Sequence, residues 1–509
     1  MSLKKNILVS SLIGIGLATV LSFLASLTMA IGEYSQMLAG LVLVGLGFGL
    51  PSIVYQNDKL APAYQAMKKY DYIIIGSGPA ANHLLFKLAR TDRTALVIEN
   101  NLWGGTCPNT GCQPKIFLEG AVRPVLNTYY LTGKGVKAAA QLDWKTLIKR
   151  KKEIWAEFRA EERSSIESDQ VDTVFGSGVI TGPHTVAAAG EEYEGINIII
   201  ATGLLPHHLE VPGSEYAISN DEFFDLDELP KKAVVIGCGY VALELATILQ
   251  AAGSEVTVLQ HSEKLLRPFD QEYVEKLTEM MEERGIAIHL NMPVKAIAKN
   301  SAAYEVTAES GQKFETDLVI DASGRRANIN GLGLEKLGIK FDPVKGVAVN
   351  EHLQTNVPSI FAAGDVADNG QMNLTPVAWG DSYHIYDFVE NGLTEGIKYP
   401  AVATSTFTYP QVAQVGKRES EMAEGDTVRR MKLGSTFAAL GEGDEEAELK
   451  VIFDKDGEVV GASEISINAG EDINLFAPLI GRKDPAEFAM NNLGFAFPTL
   501  ANKLDVLFR

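Results

Sequence analysis

After Lys4 and Lys5 no charged residue appears until Glu33, and after Glu33 none appears until Asp58. Each uncharged interval exceeds the about 20 apolar residues needed to cross a bilayer core of about 30 Å. The interruption between them, Gly32 to Gln36, is short, so residues 1–57 read as a transmembrane helical hairpin. Gly14, Ala18, Ser22, Ser26 and Ala30 recur every fourth residue along the first span, and Gly45 and Gly49 repeat the spacing in the second. Small side chains at that period let two membrane helices pack closely. Lys4 and Lys5 precede the hairpin and Lys59, Lys68 and Lys69 follow it, which puts both ends in the cytoplasm and the body of the chain on the cytoplasmic face of the membrane. A signal peptide cut after Ala30 is the rival reading, although the apolar run is longer than a signal core requires.

Beyond the hairpin the pattern changes to buried strands running into amphipathic helices. An apolar run from Tyr72 to Ile75 meets Gly76, Gly78 and Ala81 and then a helical pattern, and "KAVVIGCGYVALELATILQ" repeats this with Gly237, Gly239 and Ala242. Such a glycine turn between strand and helix lets backbone approach a pyrophosphate at a helix N-terminus, so two turns imply two dinucleotides. In each unit the next strand ends 23 positions after the first glycine, at Glu99 and at Gln260. An acid at Glu99 suits a ribose hydroxyl. Gln260 lacks that acid, and His261 and Arg267 are candidates for a 2′-phosphate. The second site therefore leans towards NADPH, with NADH open.

A length of 509 residues predicts three or four domains. The balance of 45 basic and 65 acidic residues, a net charge of −20, argues against nucleic acid as a partner. Only three cysteines are present, which excludes a disulfide-built scaffold. Two of them, Cys107 and Cys112, lie in "GGTCPNTGCQPK". In a regular helix that spacing would turn the second side chain about 140° away and lift it about 7.5 Å, beyond the reach of a disulfide unless the backbone is distorted. Gly105, Pro108 and Gly111 permit distortion. From spacing alone, a redox pair and two buried thiols stand equal.

From about Lys69 onwards the chain resembles the class I pyridine nucleotide-disulfide oxidoreductases, the family that includes glutathione reductase, dihydrolipoamide dehydrogenase and mercuric reductase. The resemblance rests on both glycine turns, on "GGTCPNTGCQPK", on "IIATGLLP" (Ile199 to Pro206), on "DASGRRAN" (Asp321 to Asn328) and on "IFAAGDVAD" (Ile360 to Asp368). It implies an α/β fold with two Rossmann-like dinucleotide-binding domains and an α+β C-terminal dimerisation domain in a homodimer. The implied boundaries are 69–215 for the first part of the FAD domain, 216–324 for the NAD(P) domain, 325–398 for the FAD-domain return and 399–509 for the interface domain. Cys107 is implied as the thiol that meets an external acceptor and Cys112 as the thiol beside the flavin, with Lys115 and Glu244 as an ion pair where hydride arrives. For FAD the implied contacts are Gly76, Gly78, Ala81, Glu99, Gly105, Thr106, Gly178, Thr202, Gly203, Asp365 and Thr375. For NAD(P) they are Gly237, Gly239, Tyr240, Ala242, Gln260, His261, Arg267 and Gly324. Tyr240 reads either as a gate over the flavin or as core packing. Cys238 reads as a small packing residue, His207 and His208 as exposed loop residues, and no metal site is expected.

The chain departs from the family near its end. Where the family carries a histidine before Pro-Thr and a supporting glutamate, this chain has Phe497 before Pro498 and Thr499, and Asn502. The last histidine is His384. A positioned acid or base typically contributes about 10²–10⁴-fold, so an acceptor whose reduction needs no imidazole is expected, such as a metal ion, a quinone or another small redox compound near the membrane. Phe495 and Phe497 would make its approach apolar. The function expected is a membrane-anchored NAD(P)H oxidoreductase that passes electrons through FAD to a Cys107–Cys112 disulfide and on to a small acceptor. The alternatives are a diaphorase or transhydrogenase with idle cysteines, a dihydrolipoamide dehydrogenase-like activity, or a membrane redox sensor.

Overall fold

The computed structural model describes residues 67–301, 303–485, 487–488, 496 and 498–499. The expected hairpin at 1–57 with its cleavage site, and Phe495, Phe497 and Asn502, lie outside the described residues. Among the described residues no helix is long and apolar enough to cross a membrane.

The first sheet is built from β1 (Lys68–Ile75), β2 (Ala95–Glu99), β3 (Val171–Phe175), β4 (Val179–Gly182), β5 (Thr185–Ala188) and β6 (Glu191–Ile200). Its parallel part runs in the order β3-β2-β1-β6, Ile360–Ala362 pairs in parallel with the end of β6, and the hairpin β4–β5 pairs antiparallel with the beginning of β6. Strands covered on both faces should be apolar throughout, and "YIII" and "ALVI" are. Ile73, Ile75, Leu96, Ile98, Ile198 and Ile200 share one core with Ile180 and Val186, whereas Tyr72, Ile74, Val97 and Ile199 face helices on the opposite side. The helices that position the site are α1 (Pro79–Leu88), α2 (Thr106–Thr110), α3 (Cys112–Tyr130), α4 (Trp144–Ile166), α5 (Tyr240–Ala252), α6 (Gln271–Glu283) and α7 (Thr375–Asn391). Leu84 and Leu88 of α1 and Ile385 of α7 cover that opposite face.

A second parallel sheet repeats the design with β7 (Lys232–Ile236), β8 (Glu255–Leu259), β9 (Ala287–His289) and β10 (Leu318–Asp321), in the order β9-β8-β7-β10. The last domain is a five-stranded antiparallel sheet spanning Thr404–Thr406 to Val459–Ser466. Its Val412, Ile465 and Ile467 join the core of the second domain, and its other face packs Ala413, Leu449 and Val451 against Ile473 and Phe476.

One buried cation pins α6 to this sheet. Lys450, 1 % exposed, places its Nζ 2.9 Å from Asp270, 2.8 Å from Glu272 and 2.9 Å from Glu419. Burial alone would lower its pKa, but the three carboxylates outweigh burial and raise it. Removing one partner of such a cluster leaves uncompensated buried charge at a cost of roughly 3–5 kcal/mol. Lys450→Ala is therefore expected to lose stability in that range in urea unfolding followed by fluorescence. A loss under about 1 kcal/mol would mean that water reaches the carboxylates.

Candidate active site

The two glycine turns use one solution. Gly76 follows β1 at φ +107° and Gly237 follows β7 at φ +113°, both in the left-handed region. A Cβ on Gly76 would stand 2.3 Å from the Ala201 carbonyl oxygen, and one on Gly237 would stand 2.3 Å from that of Ala322. Each turn thus passes directly beneath the residue that follows a neighbouring strand. Helices α1 and α5 then start from Gly78 and Gly239 without a side-chain cap, which leaves their first backbone N–H groups available to an anion. Ala81 and Ala242 are fully buried where helix meets sheet.

A cavity of about 900 Å³ runs from the first turn to the two cysteines. Gly105, at φ +71°, borders it so closely that a Cβ there would sit 2.8 Å from Gly78 Cα. Glu99 also lines it, with Oε2 accepting from Ser77 N at 3.0 Å and Ser77 Oγ at 2.7 Å, and Oε1 accepting from the amides of Asn100 and Asn101 at 2.9 and 2.8 Å. Thr106, Gly178, Thr202, Gly203, Asp365 and Thr375 line the same cavity. Burial pushes the Asp365 carboxyl up while Arg325 opposes the shift. Two glycines too close to their neighbours for any Cβ, beside an uncapped helix N-terminus, fit an elongated pyrophosphate-containing cofactor.

The backbone distortion that the cysteine spacing requires is present. Helix α2 stops at Thr110, Gly111 adopts φ −133° and ψ −113°, and Cys112 opens α3. Trp155 of α4 holds this break by donating to the Pro108 carbonyl at 2.7 Å. Both sulfurs are thiols in this structure, and both lie 3.8 Å from the Thr375 hydroxyl at the start of α7. The hydrogen bond from Cys107 is the largest influence on Cys112 and, with Thr375 and Lys115, lowers its pKa to about 6 against the penalty of burial. That same hydrogen bond and burial push the Cys107 thiol up. The pair is therefore asymmetric, with a thiolate favoured at Cys112 and a proton retained at Cys107.

Lys115 Nζ lies 3.2 Å from Glu244 Oε1, with both side chains largely buried. Phe407, from the interface domain, donates its backbone N–H to the same Oε1 at 2.8 Å and places its ring 3.4 Å from the lysine Nζ. Phe407 escaped sequence reasoning, and nothing in "TSTFTYP" marks it. Arg325 was also missed; it lines the cavity and donates to Leu204 O at 2.9 Å and Asn220 Oδ1 at 3.2 Å.

Tyr240 lines the cavity and is 41 % exposed, so its place is the cavity wall and not the packed core. Burial of its hydroxyl, with Asp365 and Glu244 nearby, raises its pKa to about 12. Beyond β8, Gln260 is buried and donates Nε2 to Ser262 Oγ at 2.6 Å, and Arg267 donates to the same hydroxyl at 2.7 Å. Arg267 is thereby held beside the strand end, while His261 is exposed. Gly324, at φ +157°, accepts from His207 N at 2.9 Å. Cys238 is buried, His207 half-buried and His208 exposed. Among the described residues no cluster of His, Cys, Asp and Glu is arranged to hold a metal ion.

Residues 70–382 match the family described as pyridine nucleotide-disulphide oxidoreductase, and residues 402–507 match its dimerisation domain. The chain is 32 % identical over 451 residues to a glutathione reductase of Burkholderia cepacia, covering 87 % of this chain and 99 % of that protein. It is 30 % identical over 422 residues to a glutathione reductase of Nostoc sp., covering 79 % and 91 %. The HOCl-induced flavoprotein disulfide reductase RclA from Escherichia coli shares the fold, with a TM-score of 0.77 at 24 % identity, covering 86 % of this chain and 99 % of that one.

The thiol asymmetry is directly measurable. Thiolate absorbance in the ultraviolet, followed against pH in the reduced protein, should rise with a midpoint near pH 6 from Cys112. In Cys107→Ala, which removes the largest contributor, the midpoint should move up towards the ordinary thiol value of about 8.5. Equal midpoints in the two proteins would overturn the assignment.

Proposed function

Because the chain belongs to the pyridine nucleotide-disulphide oxidoreductases, enzymes that use FAD and NAD(P)H, we propose that it moves two electrons from NAD(P)H to the Cys107–Cys112 pair and out through Cys107 to a small acceptor that needs no imidazole acid. The observation that carries this reading is the placing of both sulfurs against one hydroxyl, Thr375 Oγ1, at the end of the cavity that also holds the Lys115–Glu244 pair. Bound FAD supplies two-electron exchange between nicotinamide and thiols, and Gly76, Gly78, Glu99, Gly105 and Asp365 would hold it.

The chain's own groups then divide the work. Lys115 keeps a positive charge at the cavity wall, and Glu244 with the Phe407 amide fixes its position. Thr375 orients both sulfurs. Cys112, favoured as thiolate, is the thiol suited to face the cofactor, and Cys107, which retains its proton, is suited to carry a proton outward with the electrons. Gln260, Ser262 and Arg267 support NADPH as donor, with Arg267 the candidate for its 2′-phosphate. The curated relatives are named for glutathione, which makes glutathione disulfide a candidate acceptor. The absence of any histidine after His384 weighs against it. The dimerisation-domain match supports a homodimer. The two charge-free spans of the first 57 residues support a membrane anchor with the catalytic body in the cytoplasm.

Anaerobic titration with NADPH and, separately, NADH tests the electron path. The wild-type holoprotein should accept two reducing equivalents beyond those of its flavin, with a new long-wavelength absorption band, and more readily from NADPH. Cys112→Ser should lose the extra equivalents, the band and acceptor turnover. Undiminished turnover in that variant would sink the thiol path and leave a diaphorase. For the anchor, the full chain should stay with membranes through an alkaline carbonate wash, whereas a chain begun at Met67 should be released; release of both would refute the hairpin.

A further inference from the structure

Outward from the Thr375 hydroxyl, the same helix carries an aromatic stack. Trp379 stands four positions beyond Thr375 on α7, so the two side chains share a helix face about one turn, or about 6 Å, apart. The His83 ring of α1 lies against the indole with centroids 4.4 Å apart and planes inclined by 20°. His83 Nδ1 is 2.8 Å from the Tyr383 hydroxyl, and Lys87 Nζ stands 4.8 Å from the Tyr383 ring. Trp379 is nevertheless 38 % exposed, and Phe86, three positions after His83 on α1, is 54 % exposed. The buried residues of α7 nearest Trp379 in sequence, Val377, Ala378, Asp381 and Ser382, belong to the inward face, so Trp379 is not needed to fill the core.

Charge separates this face from the rest of the molecule. The chain carries a net −20, yet the heads that flank the stack are Lys87 and Arg90, the latter 4.7 Å from the Phe86 ring. The nearby acids of α7 are engaged elsewhere: Asp387 accepts from Asn391, and Glu390 accepts from Tyr72 and Arg93. The result is an exposed aromatic surface with a cationic rim, on the helix whose first residue touches both sulfurs.

We propose that this face is the docking platform for the acceptor, a planar, electron-poor aromatic compound of the quinone class stacked on Trp379 with its carbonyl oxygens towards Lys87 and the Tyr383 hydroxyl. This rests on the reading of Cys107 and Cys112 as the electron-delivering pair. The chemistry balances without an imidazole. Two S–H bonds break and one S–S bond forms, while two electrons and two protons pass to the two carbonyl oxygens and yield a hydroquinone. Where Cys112 is already a thiolate, solvent provides its proton. Lys87 opposes the negative charge that gathers on the oxygens during reduction.

The test uses menadione as probe and hydroxyethyl disulfide, which has no ring, as comparator. Calorimetric titration of menadione into the oxidised holoenzyme should give a Kd raised at least about tenfold in Trp379→Ala and within about threefold of wild type in Trp379→Phe. The KM for menadione should follow the Kd, while that for hydroxyethyl disulfide should move by less than about twofold. An unchanged menadione Kd in Trp379→Ala overturns the platform, as does an equal shift for both acceptors. A changed sedimentation coefficient with unchanged Kd overturns it too, because the face would then be an interface between copies. Cys112→Ser separates the two readings: menadione turnover retained in that variant removes the thiol path, while the Kd series still decides the platform.

Discussion

Glu244 is the point at which three domains are held together. It belongs to α5 of the second domain, is 4 % exposed, takes a charge from Lys115 of the first domain and accepts a backbone N–H from Phe407 of the third. A carboxylate withdrawn from water costs several kcal/mol unless it is paired and hydrogen-bonded, so neither neighbouring domain can move away without leaving that charge exposed to a low-dielectric wall. Phe407 reinforces the arrangement because its ring faces the lysine ammonium. The same junction that fixes domain geometry thus fixes a cation that acts on Cys112. Lys450 performs the corresponding task on another face, where α6 meets the interface sheet.

The two nucleotide units show how one backbone solution acquires two uses. Gly76 and Gly237 pass equally close to a neighbouring carbonyl, and each is followed by an uncapped helix. The difference lies in what borders the turn. At the first, Gly105 leaves no room for a Cβ and the cavity continues to the thiols. At the second, Tyr240 stands at the head of the helix with its ring turned into that same cavity. A side chain that opens one unit's helix and walls the other unit's cavity joins the two cofactor regions physically.

Features that depend on local chain geometry were legible in the sequence. The strands before Gly76 and Gly237 and the need for a break between Cys107 and Cys112 could be read from apolar runs, glycines and spacing, whereas the pairing of Lys115 with Glu244 was implied by the family resemblance. Contacts set by tertiary packing were not. Phe407 acts through its backbone N–H and the face of an apolar ring, and neither leaves a trace in composition. Arg267 was readable as a candidate for a 2′-phosphate, but its tie to Ser262 depends on how the loop after β8 folds back. Thr375 was placed near the cofactor by motif, but its contact with both sulfurs follows from α7 starting where α2 breaks into α3.

The missing terminal histidine acquires meaning from the thiol asymmetry. An imidazole is needed when a dithiol and its acceptor must exchange protons that neither partner holds in the right place. Here the hydrogen bond between the two sulfurs favours the thiol at Cys107 and the thiolate at Cys112, and Lys115 adds to the lowering at Cys112. An acceptor with two basic oxygens uses such a proton directly, whereas a disulfide must first release a thiolate that the histidine would have protonated. On the proposed electron path, losing the base would restrict the chemistry more than weaken it: acceptors that need proton delivery to a leaving sulfur would be disfavoured, and those that take up electrons and protons together would be retained.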